Sequence, residues 1–181
     1  EIYKDKDGKL WVSAFDVESF IIDIRDYIVQ KYPLPDLRNQ LKANPAINSL
    51  CKDEDGIFWF SQDRYGLCIY DSRKEKLKHY SQCQGTRNLP FGDVTNIARS
   101  YNHNWIWATS YGPTVFGLSQ QNMEMKEDVR IELGNVTNNP GLITSLFEDP
   151  QNNLWIGTTT GLFVYRIMSA TLESIPEVSG P

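Results

Sequence analysis

The chain has 181 residues, 40% of them hydrophobic and 12% aromatic, with 18 Lys and Arg set against 23 Asp and Glu for a net charge of −5. That length and apolar content suit one sizeable core, and an acidic balance without a Lys/Arg stripe argues against a nucleic-acid partner. No apolar run approaches the roughly 18 residues of a membrane-spanning helix, so no direct membrane insertion is expected of this segment, and no charged and then apolar leader opens it.

One spacing organises the rest. Trp11, Trp59, Trp107 and Trp155 stand 48 residues apart, each preceded by an apolar residue: Leu10, Phe58, Ile106 and Leu154. Turn-forming pairs recur at the same interval, as Asp7-Gly8, Asp55-Gly56, His103-Asn104 and Gln151-Asn152. A period of roughly 20 to 50 residues marks a repeat architecture, and tight turns that feed short apolar strands mark a β one.

In chain order, the first unit (about 1–46) opens abruptly on Ile2-Tyr3-Lys4, turns at Asp5–Gly8 and enters Lys9–Ser13. Its third and fourth strands are expected within 20–24 and 27–32, where β-branched content outweighs a competing helical spacing. A long connection through Pro33, Pro35 and Pro45 follows. The second unit (about 47–93) is the most regular, with strands at 47–51, 58–60, 66–70 and 76–80. In the third (about 94–142), Val94 lies 13 residues before its tryptophan, whereas Ile47 and Ile143 lie 12 before theirs, so a bulge or longer turn must absorb one residue. The fourth (about 143–181) is regular through Arg166 and ends in a Ser/Pro/Gly tail. Four short strands per period describe the blade of an all-β, β-propeller fold.

The segments Ile143–Asp149, Leu154–Thr158 and Gly161–Tyr165 resemble the two-component-regulator propeller repeat nearly residue for residue, and Ile47–Asp53, Phe58–Phe60 and Gly66–Asp71 resemble it again. The first unit departs by lacking the Gly-Leu pair, the third by lacking both the Asp-Gly turn and the Glu-Asp pair. The resemblance implies the periplasmic sensor region of a bacterial hybrid two-component system, the extracytoplasmic part of an inner-membrane protein that detects polysaccharide fragments. It also implies a seven-bladed ring, with histidine kinase and regulator domains elsewhere in the protein. Four tryptophan-marked units make up part of such a ring, and exposed blade edges would then meet missing blades or another copy of the chain.

No catalytic constellation is expected. The Asp-rich turns at Asp5–Gly8 and Asp53–Gly56 begin like a calcium loop, but Asp16 and Arg64 stand where the bidentate Glu belongs, so no metal is assigned. Cys51, Cys68 and Cys83 have no metal-ligand spacing and read as thiols, two of them buried. Glu148-Asp149 is read as a turn feature whose carboxylate accepts turn amides, rather than as a glycosidase pair. No cofactor is expected.

Given the propeller resemblance, the connections between second and third strands, and those entering each first strand, gather on one face. Arg64, Tyr65, Phe91 and Tyr111 on these connections, with Trp105 beside the third tryptophan, are the candidate ligand-binding residues, because planar rings and a guanidinium suit sugars or uronates. Taken singly, each aromatic could equally seal contacts between blades. Three function classes stand at this point: a ligand-sensing propeller for an oligosaccharide or other small molecule, a propeller-scaffold glycoside hydrolase or lyase, and a protein-interaction propeller.

Overall fold

The computed structural model describes residues 2–4, 8–12, 20–31, 47–53, 55–62, 66–71, 73–80 and 94–176. They form four antiparallel sheets of four strands, each a simple meander. The first sheet comprises β1 (Ile2–Lys4), β2 (Lys9–Val12), β3 (Phe20–Asp23) and β4 (Val29–Lys31). The second comprises β5 (Ile47–Lys52), β6 (Phe58–Gln62), β7 (Gly66–Asp71) and β8 (Lys76–Tyr80). The third runs β9 (Asn96–Arg99), β10 (Ile106–Thr109), β11 (Thr114–Gln121) and β12 (Glu124–Glu132). The fourth runs β13 (Ile143–Glu148), β14 (Asn153–Thr158), β15 (Gly161–Arg166) and β16 (Thr171–Ile175). The only helical element among the described residues is a 3-10 turn at Leu133–Asn135. The chain divides into two compact units, residues 1–97 and 98–181.

The turn residues do what their chemistry allows. Gly8, Gly56 and Asn152 fill the same repeat position, and all three have a positive φ, of 79°, 78° and 62°. Gly and Asn tolerate this left-handed region at least cost. In the second sheet the turn closes as Asp53 N donates to Ile57 O, and in the fourth as Asp149 N donates to Asn153 O. In the third sheet Ser100 N reaches instead to Trp105 O, one residue further along. The extra residue before Trp107 is therefore taken up in the turn, and Ser100, not Tyr101, occupies the place of Asp53 and Asp149.

Strand alternation gives each sheet two apolar faces. In the first unit the Trp11 face meets Phe58, Phe60, Leu50 and Cys68 of the second sheet, with the Trp11 and Phe58 rings 4.7 Å apart. In the second unit Trp107, Val115 and Ile131 of the third sheet meet Leu154, Ile156 and Phe163 of the fourth. Trp107 is fully buried. Its ring lies over Gly117, its cross-strand partner, where an added Cβ would come within 3.1 Å of Trp107 and 3.0 Å of Val129. A larger residue there would displace the indole.

A buried indole N–H needs an acceptor. Trp59 Nε1 donates to Asp53 Oδ2 at 2.8 Å and Trp155 Nε1 to Asp149 Oδ2 at 2.9 Å, six residues back in each case. The third sheet's turn has Ser100 at that place, and the Ser100 hydroxyl instead accepts the His103 amide within that turn. Trp107 Nε1 turns to the neighbouring sheet and donates to Glu148 Oε2 at 2.6 Å, while Glu148 Oε1 accepts the Asn102 amide. Asn102 Nδ2 adds bonds to Pro150 O and Asn152 Oδ1, tying the third sheet's turn to the fourth's. Trp11 has Asp5 six residues before it, which lies outside the described residues.

The two turn aspartates titrate in opposite directions although they hold the same repeat position. At Asp53, only 8% exposed, burial dominates and raises the pKa against the bonds from Trp59 and Ile57. At half-buried Asp149, burial is outweighed by donors from Trp155, Asn153 and Gln151, and the carboxyl falls from 3.8 to about 2. A carboxylate whose pKa is depressed by folding stabilises the fold above its unfolded pKa, and that contribution fades as pH falls through the folded value. Asp149 should therefore support stability at neutral pH and lose that support between pH 3.8 and about 2. Chemical unfolding across this range should show a shallower acid loss in Asp149→Asn than in the parent, and parallel curves would show that the bonds to Asp149 contribute nothing.

Candidate functional site

The connections at one end of the second unit are drawn together by topology. β12 ends beside the start of β11, where Glu132 pairs with Thr114, and β13 begins beside the end of β14, where Ile143 pairs with Thr158. Residues 133–142 link these two points, so the β10–β11 turn, the linker and the β14–β15 turn share one rim. Hydrogen bonds fix it. Leu133 N donates to Pro113 O, Thr159 N to Leu142 O, Leu142 N to Thr159 Oγ1, and Thr160 Oγ1 to Asn139 O. Gly141, at φ 72°, passes so close that an added Cβ would lie 2.6 Å from Thr159 Oγ1, so the linker needs glycine there for both reasons.

The rim pairs exposed apolar surface with short polar groups. Tyr111 is 64% exposed, and Val136 and Leu142 are exposed with it. Ser110, Thr137, Thr159 and Thr160 supply hydroxyls, and Asn135, Asn138 and Asn139 supply amides. A ring face ready to stack beside hydroxyl and amide groups is chemistry suited to a neutral polyol.

Of the sequence-derived candidates, Tyr111 stands on this rim. Trp105 does not. It lies on the turn before β10, at the opposite end of that strand, with its ring stacked on His103 at 4.3 Å and edge-on to Trp107 at 5.5 Å, packed against the buried cluster of the second unit. Arg64, Tyr65 and Phe91 lie outside the described residues. Val136 and Leu142 were not anticipated; their only signal is an apolar residue inside an otherwise polar linker. Among the described residues no group of three His, Cys, Asp or Glu side chains could hold a metal ion. Burial pushes the Cys68 thiol well above its usual range.

Four four-stranded antiparallel meanders with a repeated indole, and a likeness to solved β-propellers, make this chain a segment of a β-propeller. The family model described as the two component regulator propeller matches residues 139–160. Among solved structures the chain is similar to the extracellular domain of a protein described as the hybrid two component system BT3049 from B. thetaiotaomicron, with 23% identity and a TM-score of 0.68 over 97% of this chain and 22% of that one. The corresponding domain of BT4673 from the same organism gives 19% identity and 0.66 over 97% and 23%. The β-propeller domain of Cps50 (Swd1) from Myceliophteria thermophila gives 11% and 0.69 over 94% and 56%. At these identities the likeness establishes the fold. The chain spans about a fifth of the length of the two bacterial domains. No curated protein matches it in sequence.

Proposed function

We propose that this chain is part of the extracytoplasmic, periplasmic sensor propeller of a hybrid two-component regulator, and that its loop rim recognises an oligosaccharide or polysaccharide fragment. The observation that carries the reading is the exposed Tyr111 set among hydroxyl and amide side chains, on a rim continuous with the segment that matches the two component regulator propeller. The extracellular placement of the similar bacterial domains supports the compartment, and no helix among the described residues is long and apolar enough to cross a membrane. In this reading the segment binds without catalysis. A histidine kinase elsewhere in the protein reads the bound state.

A glycan binding screen followed by titration calorimetry tests the proposal. One class of oligosaccharide should bind, and Tyr111→Ala should weaken it roughly tenfold or more, as expected for a central aromatic contact. Because the side chain is 64% exposed, the same change should leave the thermal melt within a degree or two of the parent. Unchanged affinity in Tyr111→Ala would remove this rim as the site, and cleavage of the glycan would replace sensing by hydrolysis.

A further inference from the structure

The rim carries a single charge. Along the β10–β11 turn and its flanks (110–114), the linker with the strand ends it joins (132–143) and the β14–β15 turn (158–161), Glu132 is the only residue with a charged side chain. Every other polar side chain there is a hydroxyl or an amide.

The chain holds this carboxylate in place and leaves part of it open. Register sets Glu132 opposite Thr114, three residues beyond Tyr111, and Thr114 Oγ1 donates to Glu132 Oε2 at 2.7 Å. The next residue extends the clamp, since Leu133 N donates to Pro113 O. Glu132 Oε1 accepts no hydrogen bond from the described residues, and the side chain is 40% exposed. The nearest cation on its strand is committed elsewhere. Arg130 gives Glu127 two bonds, from Nε at 2.8 Å and from Nη2 at 2.9 Å, and its guanidinium lies 5.1 Å from the centre of the Phe116 ring. Its Nη1 stays 4.0 Å from Glu132 Oε1, beyond hydrogen-bond reach.

A carboxylate only accepts, so an open Oε1 calls for a donor, and a sugar hydroxyl supplies one. The same charge repels a second carboxylate brought beside it, which is discrimination by an unfavourable contact with the wrong ligand. We propose that Glu132 sets the specificity of the rim: Oε1 accepts a hydroxyl of a neutral glycan whose ring stacks on Tyr111, and its charge rejects the glycan in which that ring bears a carboxylate. This rests on the reading of the rim as a glycan site, and it narrows the ligand from sugars in general to neutral ones.

Titration calorimetry with matched oligosaccharides tests it, the members of each pair differing only in whether C6 is an alcohol or a carboxylate: gluco- against glucurono-, galacto- against galacturono-, manno- against mannurono-. With the whole chain, the neutral member of the pair that binds should bind at least about tenfold more tightly than its acidic twin. Raising the ionic strength from about 0.01 M to about 1 M shortens the screening length from about 30 Å to about 3 Å, so it should strengthen binding of the acidic member and leave the neutral one unchanged. Glu132→Gln keeps the shape and an acceptor oxygen but loses the charge, and it should bring the two members within about threefold of each other. A pair that the parent binds alike would overturn the inference while leaving the glycan site in place. So would acidic binding indifferent to salt, or a preference unchanged in Glu132→Gln. If neither member of any pair binds, the glycan reading itself fails and this inference with it.

Discussion

Replacing Trp107 with Ala should lower the unfolding free energy by about 3 to 5 kcal/mol, the cost typical of deleting a fully buried aromatic side chain. The indole fills the space over Gly117, packs with the fourth sheet's aliphatic face and supplies the donor that Glu148 accepts. Its removal opens a cavity and takes the donor from buried Glu148 Oε2, leaving that carboxylate only the Asn102 amide. Trp107→Phe keeps most of the ring and loses the N–H, so its smaller loss should be mainly that of the hydrogen bond to Glu148 Oε2. Trp155→Ala should cost less than Trp107→Ala, since Trp155 is half-buried and its acceptor, Asp149, reaches solvent. Denaturant unfolding of the three variants gives this order; equal losses at Trp107 and Trp155 would contradict it.

The architecture was legible because the repeat writes the same physical demand four times. An apolar residue before each tryptophan, a positive-φ turn residue ahead of it in three of the four repeats and alternating strands after it fix both faces of the sheets, and the sheets follow those signals closely. The Glu148-Asp149 pair was legible as a turn feature in part: Asp149 does accept the Gln151 and Asn153 amides. Its bond to the indole was not foreseen, nor was the reach of Glu148 to the neighbouring sheet. The missing residue type at the third turn gave a hint of that exchange. The 13-residue spacing before Trp107 required a bulge or longer turn, and the structure places it in the turn, shifting the equivalent position from Tyr101 to Ser100.

The site was less legible for a different reason. Loop residues owe their positions to the sheets they join, so no period selects them, and a tryptophan outside the series carries no label of its face. Trp105 shared the aromatic character of Tyr111, but its place before β10 packs it over the core beside His103. Tyr111 reaches the rim because the β10–β11 connection is lengthened by Ser110–Pro113, which lifts one ring clear of the sheets.

The account rests on Trp59, Trp107 and Trp155 each requiring one acid, supplied by the sheet's own turn where that turn has an aspartate and by the next sheet where it does not. A double-mutant cycle at Glu148 and Ser100, followed by denaturant unfolding, tests it most directly. Glu148→Leu should destabilise by about 1 to 3 kcal/mol, because the buried Trp107 indole loses its acceptor and the Asn102 amide loses its own. Adding Ser100→Asp to that variant should recover much of the loss, since it restores the arrangement seen at Asp53 with Trp59. In the parent the same Ser100→Asp should destabilise, because it sets a second carboxylate beside Glu148. A substitution that changes sign with the residue at 148 is the result expected; a Ser100→Asp effect that is the same in both backgrounds would contradict the account.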